Sequence, residues 1–112
     1  MIYLFNKFKI DDHKIELYRD GVIIQVEPQV FNLILFLIKN RESVKSKDEI
    51  IETVWGGKAI SDASLNSRIN LARRALSDDG KSQRIIKTFS RRGFRFVADV
   101  IEEHDGSLQA HD

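Results

Sequence analysis

Cysteine is missing from all 112 residues, so disulfides, thiolate chemistry and cysteine-based metal sites are excluded and the fold must hold by packing alone. Histidine is scarce and scattered: His13, His104 and His111 stand far apart, which gives no metal-ligand or nucleophile constellation. The glycines at 56, 57, 80 and 93 follow none of the spacings that cradle phosphates, and Asp11-Asp12 reads as a turn rather than a carboxylate pair. An enzyme is therefore not expected, and no cofactor is implied. Long apolar runs are lacking too. The longest, residues 33–38, is LILFLI, far short of the roughly 20 residues that span a bilayer. The opening MIYLFNKFKI lacks the apolar core and small-residue cleavage site of an export signal, so a cytoplasmic location is expected. No internal repeat or low-complexity tract is present.

What remains is a chain of one-domain size, 42% hydrophobic, whose charge is unevenly spread. Net charge is only +1, but between Ser61 and Phe96 nine of the 18 Lys and Arg meet three acids. The nine are Arg68, Arg73, Arg74, Lys81, Arg84, Lys87, Arg91, Arg92 and Arg95, and the acids are Asp62, Asp78 and Asp79. Residues 97–112 reverse the sign with Asp99, Glu102, Glu103, Asp105 and Asp112 and no base. A local excess of six positive charges points to a polyanion as partner.

Residues 1–27 are rich in β-branched and aromatic side chains and predict three or four short antiparallel strands: Tyr3, Phe5, Phe8 and Ile10, then Ile15, Leu17 and Tyr18, then 22–26. Asp11-Asp12-His13 breaks the series, and Asp20-Gly21 suits the positive φ of a type I′ hairpin turn. Three helices are expected over 28–79. Pro28 suits the first turn of one that is apolar nearly all round from Val30 to Ile38, and so central to the core. Ser46-Lys47-Asp48-Glu49 offers a capping box for a second, short helix ended by Gly56-Gly57. A third opens near Ser61 or Asp62 and is expected to close at Asp78-Asp79-Gly80 with glycine as the left-handed cap. Residues 85–98 then form a hairpin, with Ser90-Arg91-Arg92-Gly93 as a four-residue loop. From Asp99 onward the acidic sequence reads as a linker or tail.

In the third helix Leu65, Ile69, Ala72 and Leu76 form a narrow core stripe. The opposite side gathers Ala63, Ser67, Asn70 and Arg74, flanked by Ser64 and Leu71 on one shoulder and Asn66 and Arg73 on the other, with no carboxylate among them. A helix followed by a basic hairpin in this order is how a winged helix is arranged, in an α+β fold: one helix in the major groove of double-stranded DNA, the wing on minor groove or backbone. Asn70 could pair with adenine, Arg74 or Arg68 with guanine, Ser64 or Ser67 with a base edge or phosphate, and Leu71 with a thymine methyl. Arg91 and Arg92 suit the minor groove, and Arg73, Lys87, Thr88 and Arg95 suit phosphates. The bland reading gives Arg73, Arg84 and Arg95 to surface solvation or to pairing with Asp78, Asp79 or the acidic tail.

The segments VWGGKAISDASLNSRINLARRALSDDG and RIIKTFSRRGFRFV resemble the OmpR/PhoB-type winged-helix DNA-binding domain, most nearly the version at the amino terminus of ToxR/CadC-like one-component regulators. The resemblance runs to about Asp99. It implies a four-stranded amino-terminal sheet, three helices and a carboxyl-terminal hairpin, with the third helix reading DNA. It also implies a contact with RNA polymerase through the loop from Gly56 to Ile60, which is short here. Ser90-Arg91 stands where many members have Arg-Gly, and Asn70 and Leu71 stand where many response regulators have basic residues.

A phosphoacceptor domain ahead of Met1 is not expected, nor is activation by aspartyl phosphorylation within these residues, even though the family includes two-component regulators. The full protein is expected to continue past residue 112 into a membrane segment or a sensory region, with two copies binding tandem half-sites. The rival reading is a winged helix that docks on an acidic protein and ignores nucleic acid.

Overall fold

A computed structural model describes Met1–His104. Two compact units divide it: residues 1–25 together with the chain from Ala98 onward, and Val26–Val97.

The first unit is an antiparallel sheet of β1 (Ile2–Phe5), β2 (Phe8–Asp11), β3 (Glu16–Arg19), β4 (Val22–Ile24) and a last strand, β7 (Ile101–Glu103), in the order β4-β3-β2-β1-β7. Register places Tyr3 opposite Ile10 and Ile10 opposite Leu17, so alternation brings these three to one face, where all are buried. The Asp20-Gly21 turn takes the expected form, with φ of 51° and 81°. Asp11 ends β2 by curling the chain, its Oδ1 accepting from the amides of His13 and Lys14 at 3.0 Å each. That curl throws Ile15 out of the strand expected for it: it has φ 57° and is 65% exposed. The presumed tail is also corrected. Residues 101–103 pair with β1, Ile2 opposite Glu103 and Leu4 opposite Ile101, because β1 would otherwise leave a row of edge amides and carbonyls unpaired. The rest of that tail, His111 included, lies outside the described residues.

The second unit holds α1 (Pro28–Lys39), α2 (Lys47–Trp55), α3 (Asp62–Ala75) and a hairpin of β5 (Ile86–Phe89) and β6 (Gly93–Phe96). Pro28 occupies the first turn of α1, whose Leu33, Ile34 and Ile38 are wholly buried and contribute about 2 kcal/mol each. α1 packs against α2, α3 and β6, so it is the hub of this unit. The capping box forms at α2: Ser46 Oγ accepts from the Glu49 amide at 3.1 Å, and Glu49 Oε1 accepts from the Ser46 amide at 2.8 Å. That amide holds the Glu49 carboxyl below its ordinary range. Gly56, with φ 64°, closes the helix.

α3 ends earlier than the sequence suggested. The left-handed residue is Ser77, with φ 57°, and not Gly80. The Asp78 amide donates to Arg73 O at 2.8 Å and the Ser77 amide to Arg74 O at 3.1 Å, the two bonds of a Schellman turn. The early stop puts the buried Asp78 carboxylate where the next strand begins. It accepts from the amides of Arg84, Ile85 and Ile86 at 2.9, 2.9 and 3.1 Å. Burial by itself would raise this carboxyl, but those amides and that of Asp79 outweigh it and hold the pKa below its ordinary value.

The hairpin loop is shorter than expected, three residues (90–92), because Gly93 already pairs with Phe89. Arg91 carries the left-handed turn at φ 64°. Gly93 lies at φ 135° over the Lys45 backbone, where an added Cβ would come within 1.9 Å of the Lys45 carbonyl. This close approach lets Lys45 and Phe94 exchange amide–carbonyl bonds at 2.8 and 2.9 Å, fastening the wing to the segment before α2.

Two outcomes are expected. Gly93→Ala should cost about 3 kcal/mol in urea unfolding, from the clash and the positive φ together; an unchanged midpoint would contradict the close approach. A carboxyl whose pKa is lowered in the folded state stabilises above its unfolded pKa and loses that contribution as pH falls through the folded value. Wild-type protein should therefore lose stability below about pH 4 more steeply than Asp78→Asn. Parallel pH profiles in thermal unfolding would contradict the role given to Asp78.

Candidate nucleic-acid interface

The amino end of α3 is fixed twice. Ser61 Oγ accepts from the Ser64 amide and donates to Ser64 Oγ, each at 3.1 Å, so the Ser64 hydroxyl belongs to the cap. Asp62, the sole carboxylate of α3, is hydrogen-bonded and ion-paired to Lys47 of α2, which raises the Lys47 pKa. The helix face beyond is thus free of uncompensated negative charge.

Leu65, Ile69 and Ala72 point inward and are buried. Ala63, Asn66, Ser67, Asn70, Leu71 and Arg74 are exposed, and Leu71, at 40%, is unusually open for leucine. These are the residues that the helical spacing placed on the outer face. Both flanking arginines differ from expectation. Arg68 lies back along the protein, its Nε donating to Gln29 Oε1 at 3.2 Å, one terminal nitrogen to Ser64 O at 3.2 Å, and its guanidinium 5.5 Å from the centre of the Trp55 ring.

Arg73, expected to meet phosphate, is 5% exposed and joins α3 to the wing. Its Nε donates to Ile86 O at 3.0 Å, one terminal nitrogen to Thr88 Oγ1 at 2.8 Å and the other to Asn70 Oδ1 at 3.4 Å. Burial lowers its pKa, and the charges of Asp78 and Asp79 act the other way; a guanidinium stays charged throughout. Both arginines sit roughly 70° from the centre of the core stripe at 100° per residue. That is the boundary where a long side chain can fold inward, a signal that was present in the spacing.

On the wing, Thr88 turns toward α3 through Arg73. Lys87 and Arg95 are directly paired across the strands, on the alternate face. Both lie over the Phe89 ring, at 5.3 and 5.7 Å from its centre. The three residues expected to meet phosphate together thus occupy two faces of the hairpin. Arg91 and Arg92 are exposed at the tip. Among the described residues neither they nor Arg74 has an ion-pair partner. Arg91 and Arg92, adjacent in the chain and both exposed, are like charges that an anion at the tip would offset. The loop of residues 56–60 leaves Gly56, Gly57, Lys58 and Ala59 exposed. No helix among the described residues is long and apolar enough to cross a membrane.

Known proteins match this arrangement. The chain is 26% identical over 87 residues to the transcriptional activator CadC of Escherichia coli K12, covering 77% of this chain and 17% of CadC. It is 35% identical over 86 residues to the cholera toxin transcriptional activator of Vibrio cholerae, covering 70% of this chain and 29% of that protein. The chain thus spans less than a third of either relative. The solved DNA-binding domain of E. coli CadC superposes with a TM-score of 0.77 at 23% identity, over 91% of this chain and 96% of that one. The Klebsiella pneumoniae RstA DNA-binding domain, solved in complex with the RstA box, gives 0.75 at 20% identity over 85% and 95%. At these identities the structural likeness is one of fold, the winged helix. A model of the carboxyl-terminal domain of transcriptional regulatory proteins matches residues 21–96. The chain belongs to that family, which comprises transcription regulators of the OmpR/PhoB type and not enzymes.

Proposed function

We propose that this domain binds double-stranded DNA sequence-specifically within a bacterial transcription regulator, α3 entering the major groove and the wing tip reaching minor groove or backbone. One observation carries the reading: α3 exposes Ser67, Asn70, Leu71 and Arg74 on a face without a free carboxylate, and Arg73 holds beside it a hairpin tipped by exposed, unpaired Arg91 and Arg92. Donors, an amide and one apolar side chain suit base edges, while the tip arginines suit a narrow, electronegative groove. The names of CadC and RstA as DNA-binding proteins support the same reading. Arg74, Asn70, Ser67 and Leu71 are assigned to the major groove and Arg91 and Arg92 to the wing contact. Lys87 and Arg95, on the other wing face, are assigned to flanking phosphate. Arg68, Ser64 and Thr88 act through their neighbours.

On this reading the domain works without catalysis or cofactor, in the cytoplasm where the DNA is, and the exposed 56–60 loop is free to meet RNA polymerase. Two copies on tandem half-sites are part of the same proposal, as is a longer protein around this domain.

Titration of a duplex obtained by random selection tests it. With about five phosphates neutralised, log affinity should fall against log salt with a slope near −4 to −5, and Arg92→Ala should flatten the slope by about one. Weak, equal affinity for every duplex would favour docking on an acidic protein instead.

Arg91 gives a sharper separation, because its left-handed φ of 64° is strained for any residue but glycine. Arg91→Gly should raise the unfolding free energy by about 0.5–1 kcal/mol while weakening duplex binding. A variant both less stable and equally tight in binding would contradict both assignments.

A further inference from the structure

Asn70 is the one amide on the exposed face of α3 whose two ends are told apart by a partner. Its Oδ1 accepts from the buried Arg73 guanidinium at 3.4 Å. A second observation agrees on direction: a Cβ built on Gly80 would lie 3.9 Å from Asn70 Oδ1 and 3.9 Å from the same Arg73 nitrogen. The oxygen is thus turned toward the loop that follows α3. Flipping the amide would set its NH2 hydrogens against those of a guanidinium that has no acceptor to offer, so the network selects one orientation. Arg73 cannot yield, being anchored to Ile86 O and Thr88 Oγ1 and buried between them.

We propose that Arg73 is a positioning residue for sequence readout: it holds Asn70 Oδ1 inward, so that Asn70 offers DNA only its Nδ2 hydrogens and selects a base edge made of acceptors. In the major groove guanine presents N7 and O6, both acceptors, and thymine presents O4; adenine presents an N7 acceptor beside an N6 donor. Bidentate pairing of asparagine with adenine needs Oδ1 and Nδ2 turned to the same edge, and Arg73 prevents it. Asn70 therefore reads guanine, whose N7 and O6 offer two neighbouring acceptors, in place of the adenine that its side chain would suggest in isolation. This rests on α3 lying in the major groove.

Random-duplex selection and sequencing, run in parallel on wild type, Asn70→Ala, Asn70→Asp and Arg73→Lys, tests the proposal. Asn70→Ala locates the base pair, as the one position that becomes indifferent. There, wild type should select a G·C pair, and Asn70→Asp, which carries acceptors only, should lose that pair in favour of one that puts a donor on the same strand, a reversed C·G pair or an A·T pair. Arg73→Lys keeps the charge but frees Asn70 and should admit adenine at that pair at least several-fold more often, with the other positions unchanged. Selection of an A·T pair in either orientation by wild type overturns the proposal, and so does a folded Arg73→Lys variant with unaltered preference. If Arg73→Lys does not fold, the wild-type base and the Asn70→Asp shift decide the matter. Failure of wild type to enrich any duplex would instead overturn DNA binding itself, and this inference with it.

Discussion

A single buried guanidinium joins the two elements on which the proposed function depends. Arg73 leaves α3 and spends its donors on a β5 carbonyl, a β5 hydroxyl and the amide oxygen of Asn70. Burying a charge is expensive unless it is hydrogen-bonded, and here each nitrogen of the guanidinium has a polar partner, with Asp78 and Asp79 supplying opposite charge nearby. The return is geometric. A helix and a hairpin that both pack on α1 are also tied directly to each other, so the α3 side chains and the wing tip form one fixed pattern.

Neighbouring contacts strengthen that fixation from other sides. Asp78 collects three amides of the chain entering β5, and the Lys45–Phe94 exchange ties β6 to the chain entering α2. Lys47 and Asp62 lock the starts of α2 and α3 together. These are interactions of different chemistry, and all of them act at the ends of elements, where backbone groups lack partners of their own. What remains uncommitted is correspondingly informative: Ser67, Leu71, Arg74, Arg91 and Arg92 have exposed side chains that hold nothing in place.

Much of this was legible in the residues themselves, where the cause is local. Pro28, the Ser46–Glu49 box and Asp20-Gly21 act on their immediate neighbours and formed as read, and the alternation of buried positions in α3 located its outer face. Non-local causes were hidden. β7 exists because β1 has a free edge about a hundred residues earlier. Ser77 rather than Gly80 turns left-handed because that places Asp78 under the amides leading into β5. Ile15 leaves its strand because Asp11 folds the chain back on itself. The charge of Arg73 suits phosphate, but its donors are taken by partners that lie elsewhere in the sequence, at Ile86 and Thr88. The base we propose opposite Asn70 differs from adenine for the same reason.

The account's central claim is that the exposed side of α3 and the tip of the wing make one footprint on duplex DNA. Amide chemical-shift mapping of the labelled domain, titrated with a selected duplex, tests it most directly. The account predicts that the perturbed amides cluster at residues 63–74 and 90–93, with α1 and the first-unit sheet unaffected. Shifts confined to α2 or the β4 edge, with α3 silent, would contradict it.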